Sequence, residues 1–222
     1  MTRRGEADAA DPHADARIVT AGEPLSGARA AMILVHGRGA GAADILGLAA
    51  ELDRGGFAYL APEAAGRTWY PRSFLSPLEE NEPHLSSALG VLGRLIERLE
   101  REGHPSDRVM LVGFSQGACL SLEFAARRPR RYGGVAGLSG GLIGPPGVPR
   151  AYAGSLEGTP VFVGCSDADP HVPAARVLES AEVLRRLDGD VTERIYPGLG
   201  HTVNRDELDR VRRMMDALAP PG

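Results

Sequence analysis

The chain contains no lysine: all 25 basic side chains among its 222 residues are arginine, against 29 Asp and Glu, for a net charge of −4. The missing lysine reads as a compositional bias rather than a functional signal. Mild acidity without a basic patch argues against nucleic acid as a ligand, because phosphate binding needs clustered positive charge. Cysteine is scarce. Cys119 and Cys165 are the only two, which excludes a disulfide scaffold and a Cys-rich metal site. Both are expected to be small buried thiols. No apolar run approaches the ~20 residues of a membrane span. The polar N-terminus lacks the apolar core of a signal peptide, and Arg3-Arg4 stands too isolated for a twin-arginine signal. The expectation is a soluble, cytoplasmic protein with no integral membrane association.

What is present suits an ordinary globular domain. The hydrophobic fraction is 43% and the charged fraction 24%, enough apolar surface to bury a sheet between helix layers. Residues 1–16, rich in Ala and Asp, read as a flexible tail, and residues 17–222 as a single domain. Apolar strand runs fall at 31–35, 57–61, 109–113, 134–138, 160–164 and 191–196. Segments of helical spacing lie between them at 44–54, 83–102, 115–128, 174–187 and 205–218. Strands apolar throughout and separated by helices predict an α/β fold: a mainly parallel sheet with helices on both faces and no large lid domain. Two stretches, 66–81 and 140–158, fit neither pattern and are expected to be loops walling a pocket.

Gly113-Phe114-Ser115-Gln116-Gly117 matches G-x-S-x-G, with an apolar strand before it and a helix after it. The motif has a steric meaning. A sharp strand-to-helix turn projects the serine hydroxyl outward, and the flanking positions lie so close to backbone that only Gly fits. The competing reading is a Gly-rich structural turn. A phosphate-cradling reading fails for want of a Gly-rich loop followed by Lys-Ser/Thr.

A serine hydroxyl needs a general base, and the base needs a carboxylate to fix its tautomer. On this fold the chain order is Ser, acid, His. Of the two histidines after Ser115, His201 sits on a Gly-rich loop between the last strand and the last helix and is the expected base. His171, in Asp169-Pro170-His171-Val172-Pro173, is expected to be a loop or helix-start residue. Asp169 is favoured over Asp167 as the acid, with Asp167 taken as a turn residue. Asp167, Asp169 and His171 as a metal site lack a further ligand, so no metal is expected. The loop His36-Gly37-Arg38-Gly39 suits an oxyanion hole whose backbone donors are Arg38 and Gln116, with His36 a structural residue at a strand end.

Assembled in this order, Val35-His36-Gly37, Gly-Phe-Ser-Gln-Gly, Asp-Pro-x-Val-Pro and Gly-x-Gly-His resemble the phospholipase/carboxylesterase family of α/β-hydrolases. That family holds small bacterial carboxylesterases, lysophospholipases and acyl-protein thioesterases. The resemblance spans about residues 30–218 and implies hydrolysis of carboxylic esters or thioesters through a Ser115–His201–Asp169 triad, with no cofactor; this chain's departures from the family turn the expectation to esters of small or medium acyl groups. Many members carry Leu after His-Gly, where this chain has Arg38. The segment around Thr68-Trp69-Tyr70-Pro71 resembles the substrate-side loop of a bacterial subgroup, which makes Trp69, Tyr70 and Phe74 the expected pocket. The rival functions are a thioesterase for acyl-proteins or acyl-CoA, a hydrolase of anionic or aromatic esters using Arg38 and Trp69, and a non-catalytic ligand-binding protein. The expected partner is a small ester or thioester, with a homodimer left open.

Overall fold

The computed structural model describes residues 11–52 and 54–220. Strand β2 (Ala30–Val35) is buried at every position, and its side chains divide by parity. Ala31, Ile33 and Val35 join one apolar cluster, while Ala30, Met32 and Leu34 join another. Successive strand residues point to opposite faces, so a strand apolar throughout must be covered twice.

The cover comes from helices on both sides. Among the described residues seven strands form one sheet in the order β1-β3-β2-β4-β5-β6-β7. The others are β1 (Ile18–Gly22), β3 (Phe57–Pro62), β4 (Val109–Phe114), β5 (Gly134–Leu138), β6 (Pro160–Ser166) and β7 (Asp190–Tyr196). β1 runs antiparallel to β3, and every other neighbouring pair is parallel. Helices α1 (Ala42–Leu52) and α5 (Arg205–Leu218) supply Ile45, Leu52, Val211 and Met215 to one face. Helices α2 (His84–Arg101), α3 (Gln116–Arg127) and α4 (Ala174–Arg186) supply Leu92, Ile96, Leu122 and Val177 to the other. Each fully buried Leu, Ile or Val contributes about 1.5–3 kcal/mol to folding.

The longest helix shows how local sequence sets the elements. In α2, Leu85, Ala88, Leu89, Leu92, Leu95, Ile96 and Leu99 recur at steps of three and four and are all buried. Gly103 ends it with φ +91°. Its N–H bonds Glu100 O and the next N–H, of His104, reaches back to Leu99 O at 2.8 Å, the paired bonds that satisfy the last carbonyls of a helix.

Two expectations change. Of the tail at 1–16, residues 1–10 lie outside the described residues, but 11–16 are not loose. His13 is buried, takes Ala65 N–H on Nδ1 and donates from Nε2 to Trp69 O, and its own N–H donates to Ser87 Oγ. The loop 140–158 runs over the outer side of α3 and α4, with Ile143 N–H and the Tyr152 hydroxyl both donating to Glu123. None of its residues lines the cleft at Ser115; it backs the wall from outside, with Gly144 N–H donating to Phe74 O at 2.7 Å. No helix among the described residues is long and apolar enough to cross a membrane.

Candidate active site

Ser115 sits between β4 and α3 with φ +55° and ψ −118°, a left-handed backbone that costs a non-glycine residue about 1–3 kcal/mol. Packing holds it there. A Cβ on Gly113 would run into the Gly117 carbonyl, and one on Gly117 into the Val35 carbonyl oxygen. Ser115 N–H donates to Leu138 O at the end of β5 (2.9 Å). The turn is therefore wedged between two neighbouring strands, and the hydroxyl has nowhere to go but the cleft.

The structure brings His201 and Asp169 to that hydroxyl. His201 Nε2 lies 2.8 Å from Ser115 Oγ, and His201 Nδ1 lies 2.7 Å from Asp169 Oδ2. Asp169 Oδ1 accepts the N–H groups of His171 (2.8 Å) and Val172 (3.0 Å), the turn made possible by the intervening Pro170. Burial pulls the Asp169 carboxyl upward, but the bonds from His201 and these two amides outweigh it and hold the pKa below the ordinary value. An ionised carboxylate only accepts. It therefore fixes the imidazole proton on Nδ1 and leaves Nε2 to accept the serine O–H.

Two side chains lace the acid and base loops together. Ser166 Oγ accepts Ala168 N–H and Gly200 N–H, both at 3.0 Å. Asp167 Oδ1 accepts Gly198 N–H at 2.8 Å, so Asp167 is a turn residue that registers the histidine loop. Below His201, helix α5 begins with a capping box: Asn204 Oδ1 accepts Glu207 N–H, and Glu207 Oε2 accepts Asn204 N–H. Glu207 is fully buried, and its Oε1, packed over Gly164, has no partner.

Gly37 packs against Ser115 so closely that a Cβ on it would lie 3.4 Å from Ser115 Cβ. Next to it, Arg38 N–H takes no protein acceptor among the described residues, nor does Gln116 N–H, the first amide of α3; such leading helix amides lack an intrahelical carbonyl. His36 is buried; its Nε2 accepts Ala64 N–H, so the proton sits on Nδ1 and is donated to Gly37 O.

The cleft above Ser115 holds about 530 Å³. Tyr70, Phe74, Cys119, His171 and Val172 wall it, with Arg72 at its mouth. Trp69 does not. It is fully buried, its indole N–H donates to His36 O at 2.9 Å, and its ring packs on His36 and His13. The Arg38 guanidinium is exposed at the cleft and donates to three carbonyls, Tyr70 O, Pro71 O and Arg72 O. The Gln116 amide adds two ties, accepting Trp69 N–H and donating to Tyr70 O. Both residues thus build the cleft wall with their side chains, a role their type and spacing did not signal. The ester reading founded on Arg38 and Trp69 loses Trp69, while Arg38 stays at the cleft. Arg72 makes no side-chain hydrogen bond or ion pair among the described residues and is the cleft cation left uncommitted.

His171 was also missed. Its ring stands edge-on to His201 with centroids 4.8 Å apart, beside Phe114 at 5.0 Å on another side of the same imidazole. The sole signal was its closeness in sequence to Asp169. Cys119 and Cys165 are buried, and desolvation pushes each thiol up to about 12. They stay protonated and inert at neutral pH.

A parallel sheet covered on both faces, a strained serine turn after a central strand, and acid and histidine loops after β6 and β7 define an α/β-hydrolase. A family model described as Phospholipase/Carboxylesterase matches residues 13–219. The chain belongs to that family of serine hydrolases. A solved phospholipase/carboxylesterase from Dyadobacter fermentans is 40% identical, covering 90% of this chain and 96% of that one with a TM-score of 0.86. The carboxylesterase of Bacillus cereus, at 19% identity and a TM-score of 0.72 over 92% of this chain and 95% of that one, shares the fold. Acyl-protein thioesterase 1 of Gibberella zeae is 34% identical over 133 residues, which is 57% of this chain and 55% of that protein. The chain thus spans little more than half the length of this curated relative.

Proposed function

We propose that the protein hydrolyses carboxylic esters of small or medium acyl groups through an acyl-enzyme on Ser115. One observation carries this reading: the unbroken hydrogen-bonded relay from Ser115 Oγ to His201 Nε2 and from Nδ1 to Asp169, at 2.8 and 2.7 Å. Oγ attacks the carbonyl carbon while His201 takes its proton, and Asp169 stabilises the resulting imidazolium. The Arg38 and Gln116 N–H groups bind the oxyanion. His201 then gives its proton to the leaving oxygen as the C–O bond breaks, releasing the alcohol. Water repeats the sequence, and Ser115 leaves with its proton restored.

The reading is tested by turnover of p-nitrophenyl butyrate. Ser115→Ala is expected to lower kcat on the order of 10⁶-fold with the melting curve retained, and undiminished turnover overturns the assignment. Asp169→Asn is expected to cost about 10⁴-fold through the wrong tautomer, and Asp167→Asn far less. The reverse ranking would hand the acid role to Asp167. The likeness to acyl-protein thioesterase 1 favours a second reading, a thioesterase working with the same triad. Comparing kcat/KM on matched oxo- and thioesters separates the two.

A further inference from the structure

Beside the cleft lies a second cavity of about 570 Å³ that the relay does not use. It opens between α1 and the start of α5, and its walls are apolar: Ile45 and Leu48 from one side, Val203 and Leu208 from the other. Leu48, Val203, Leu208 and Phe114 are each only half-buried, so the apolar faces they leave open are turned to this groove. The two cavities adjoin at Gly37, Ala40 and Phe114, which line both. The shared residues are significant ones. Gly37 packs on Ser115, and Phe114 packs on the His201 ring.

Resting on the ester-hydrolase reading, we propose that this groove is the leaving-group subsite and that it selects esters of apolar, uncharged alcohols. An ester extends in two directions from its carbonyl carbon. The acyl half stays bonded to Ser115 and belongs in the cavity that contains Ser115, Gln116 and Cys119. The alcohol half must start within reach of His201 Nε2, which protonates it, and the groove adjoins that point through Phe114, which packs on His201, and Val203, two residues beyond it. Two carboxylates, Asp44 and Glu51, flank the groove. They disfavour an anionic alcohol, and Asp44 is already accepting Gly41 N–H at 2.7 Å. The cleft with its uncommitted Arg72 and the groove with its carboxylates thus differ in polarity, so the two halves of the substrate are read by different chemistry.

The test compares ratios within each variant, where loss of folded protein cancels. Values of kcat/KM are measured on methyl butyrate, hexyl butyrate and methyl octanoate for the wild type, Leu48→Asp and Leu48→Trp. One variant makes the groove polar and the other fills it. The hexyl-to-methyl ratio on butyrate is expected to fall about tenfold in both, the scale of a small change in an apolar pocket. The octanoate-to-butyrate ratio on methyl esters is expected to hold. A fall in the acyl ratio instead would make the groove an acyl site, and no movement in either would remove it as a subsite. Ser115→Ala is assayed alongside: wild-type turnover there would sink the nucleophile assignment itself, whereas its inactivity leaves that assignment standing however the ratios behave.

Discussion

The two long loops, 66–81 and 140–158, look alike in sequence but do opposite work. Both follow the carboxyl end of a parallel strand, where open α/β sheets bind their ligands. After β3 the return to the amino-terminal end of the next strand, β4, is made by α2, so the preceding loop stays at the carboxyl end and lines the cleft with Tyr70 and Phe74. Between β5 and β6 there is no helix. The loop itself must make the return, so it lies along α3 and α4 as a cover. Arginine holds each loop by its carbonyls. Arg38 grips Tyr70, Pro71 and Arg72 at the cleft, while buried Arg176 grips Leu142 and Gly144 at 2.8 and 2.7 Å behind the cleft wall, its guanidinium 5.9 Å from the centre of the Phe74 ring. A loop's function follows from which element carries the chain back, which its composition does not reveal.

The largest effect that sharpens this contrast is expected at Arg176. Arg176→Met strands Leu142 O and leaves Gly144 O and Glu179 to Arg150 alone, and is expected to cost about 1–3 kcal/mol, the range for one unsatisfied buried group. Denaturant unfolding measures it, and ester turnover by the folded fraction should change little. A smaller and opposite response is expected from Arg38→Met. The wall at 70–72 loosens and kcat/KM falls about tenfold, the scale of misplaced positioning groups, with the unfolding midpoint only slightly lowered. If Arg38→Met proved the more destabilising and Arg176→Met the more damaging to turnover, the division of labour between the loops would be broken.

Much of the fold could be read from the residues because burial and periodicity agreed. β2 to β6 are apolar runs, and the strand, Gly-x-Ser-x-Gly and helix around Ser115 follow one another without interruption. β1 escaped detection because it is an antiparallel edge strand with no fully buried residue, so it carries no apolar signature. Trp69 misled because an aromatic in a loop suggests a pocket, whereas its indole N–H finds a buried carbonyl on His36 and the ring goes inward. His13 misled in the reverse direction. Its neighbours are Ala and Asp, but two imidazole nitrogens gave that segment the backbone partners that anchor it. The order Ser, Asp, His was visible in the chain. What brings Asp169 rather than Asp167 to His201, the turn in which its carboxylate receives two amides, exists only once the chain is folded.

The carboxyl of Glu207 makes the folded chain a proton sink. Burial raises its pKa from 4.5 to about 7, so between those values the native protein keeps a proton that the unfolded chain has released. Stability contributed by the neutral acid therefore declines as pH rises through that window and stays lost above it. Glu207→Gln preserves the acceptor for Asn204 N–H and cannot ionise. Relative to the wild type, its urea midpoint is expected to gain on going from pH 5 to pH 8. Glu207, in the first turn of α5, thereby couples folding to acidity at a point in the chain six residues after His201.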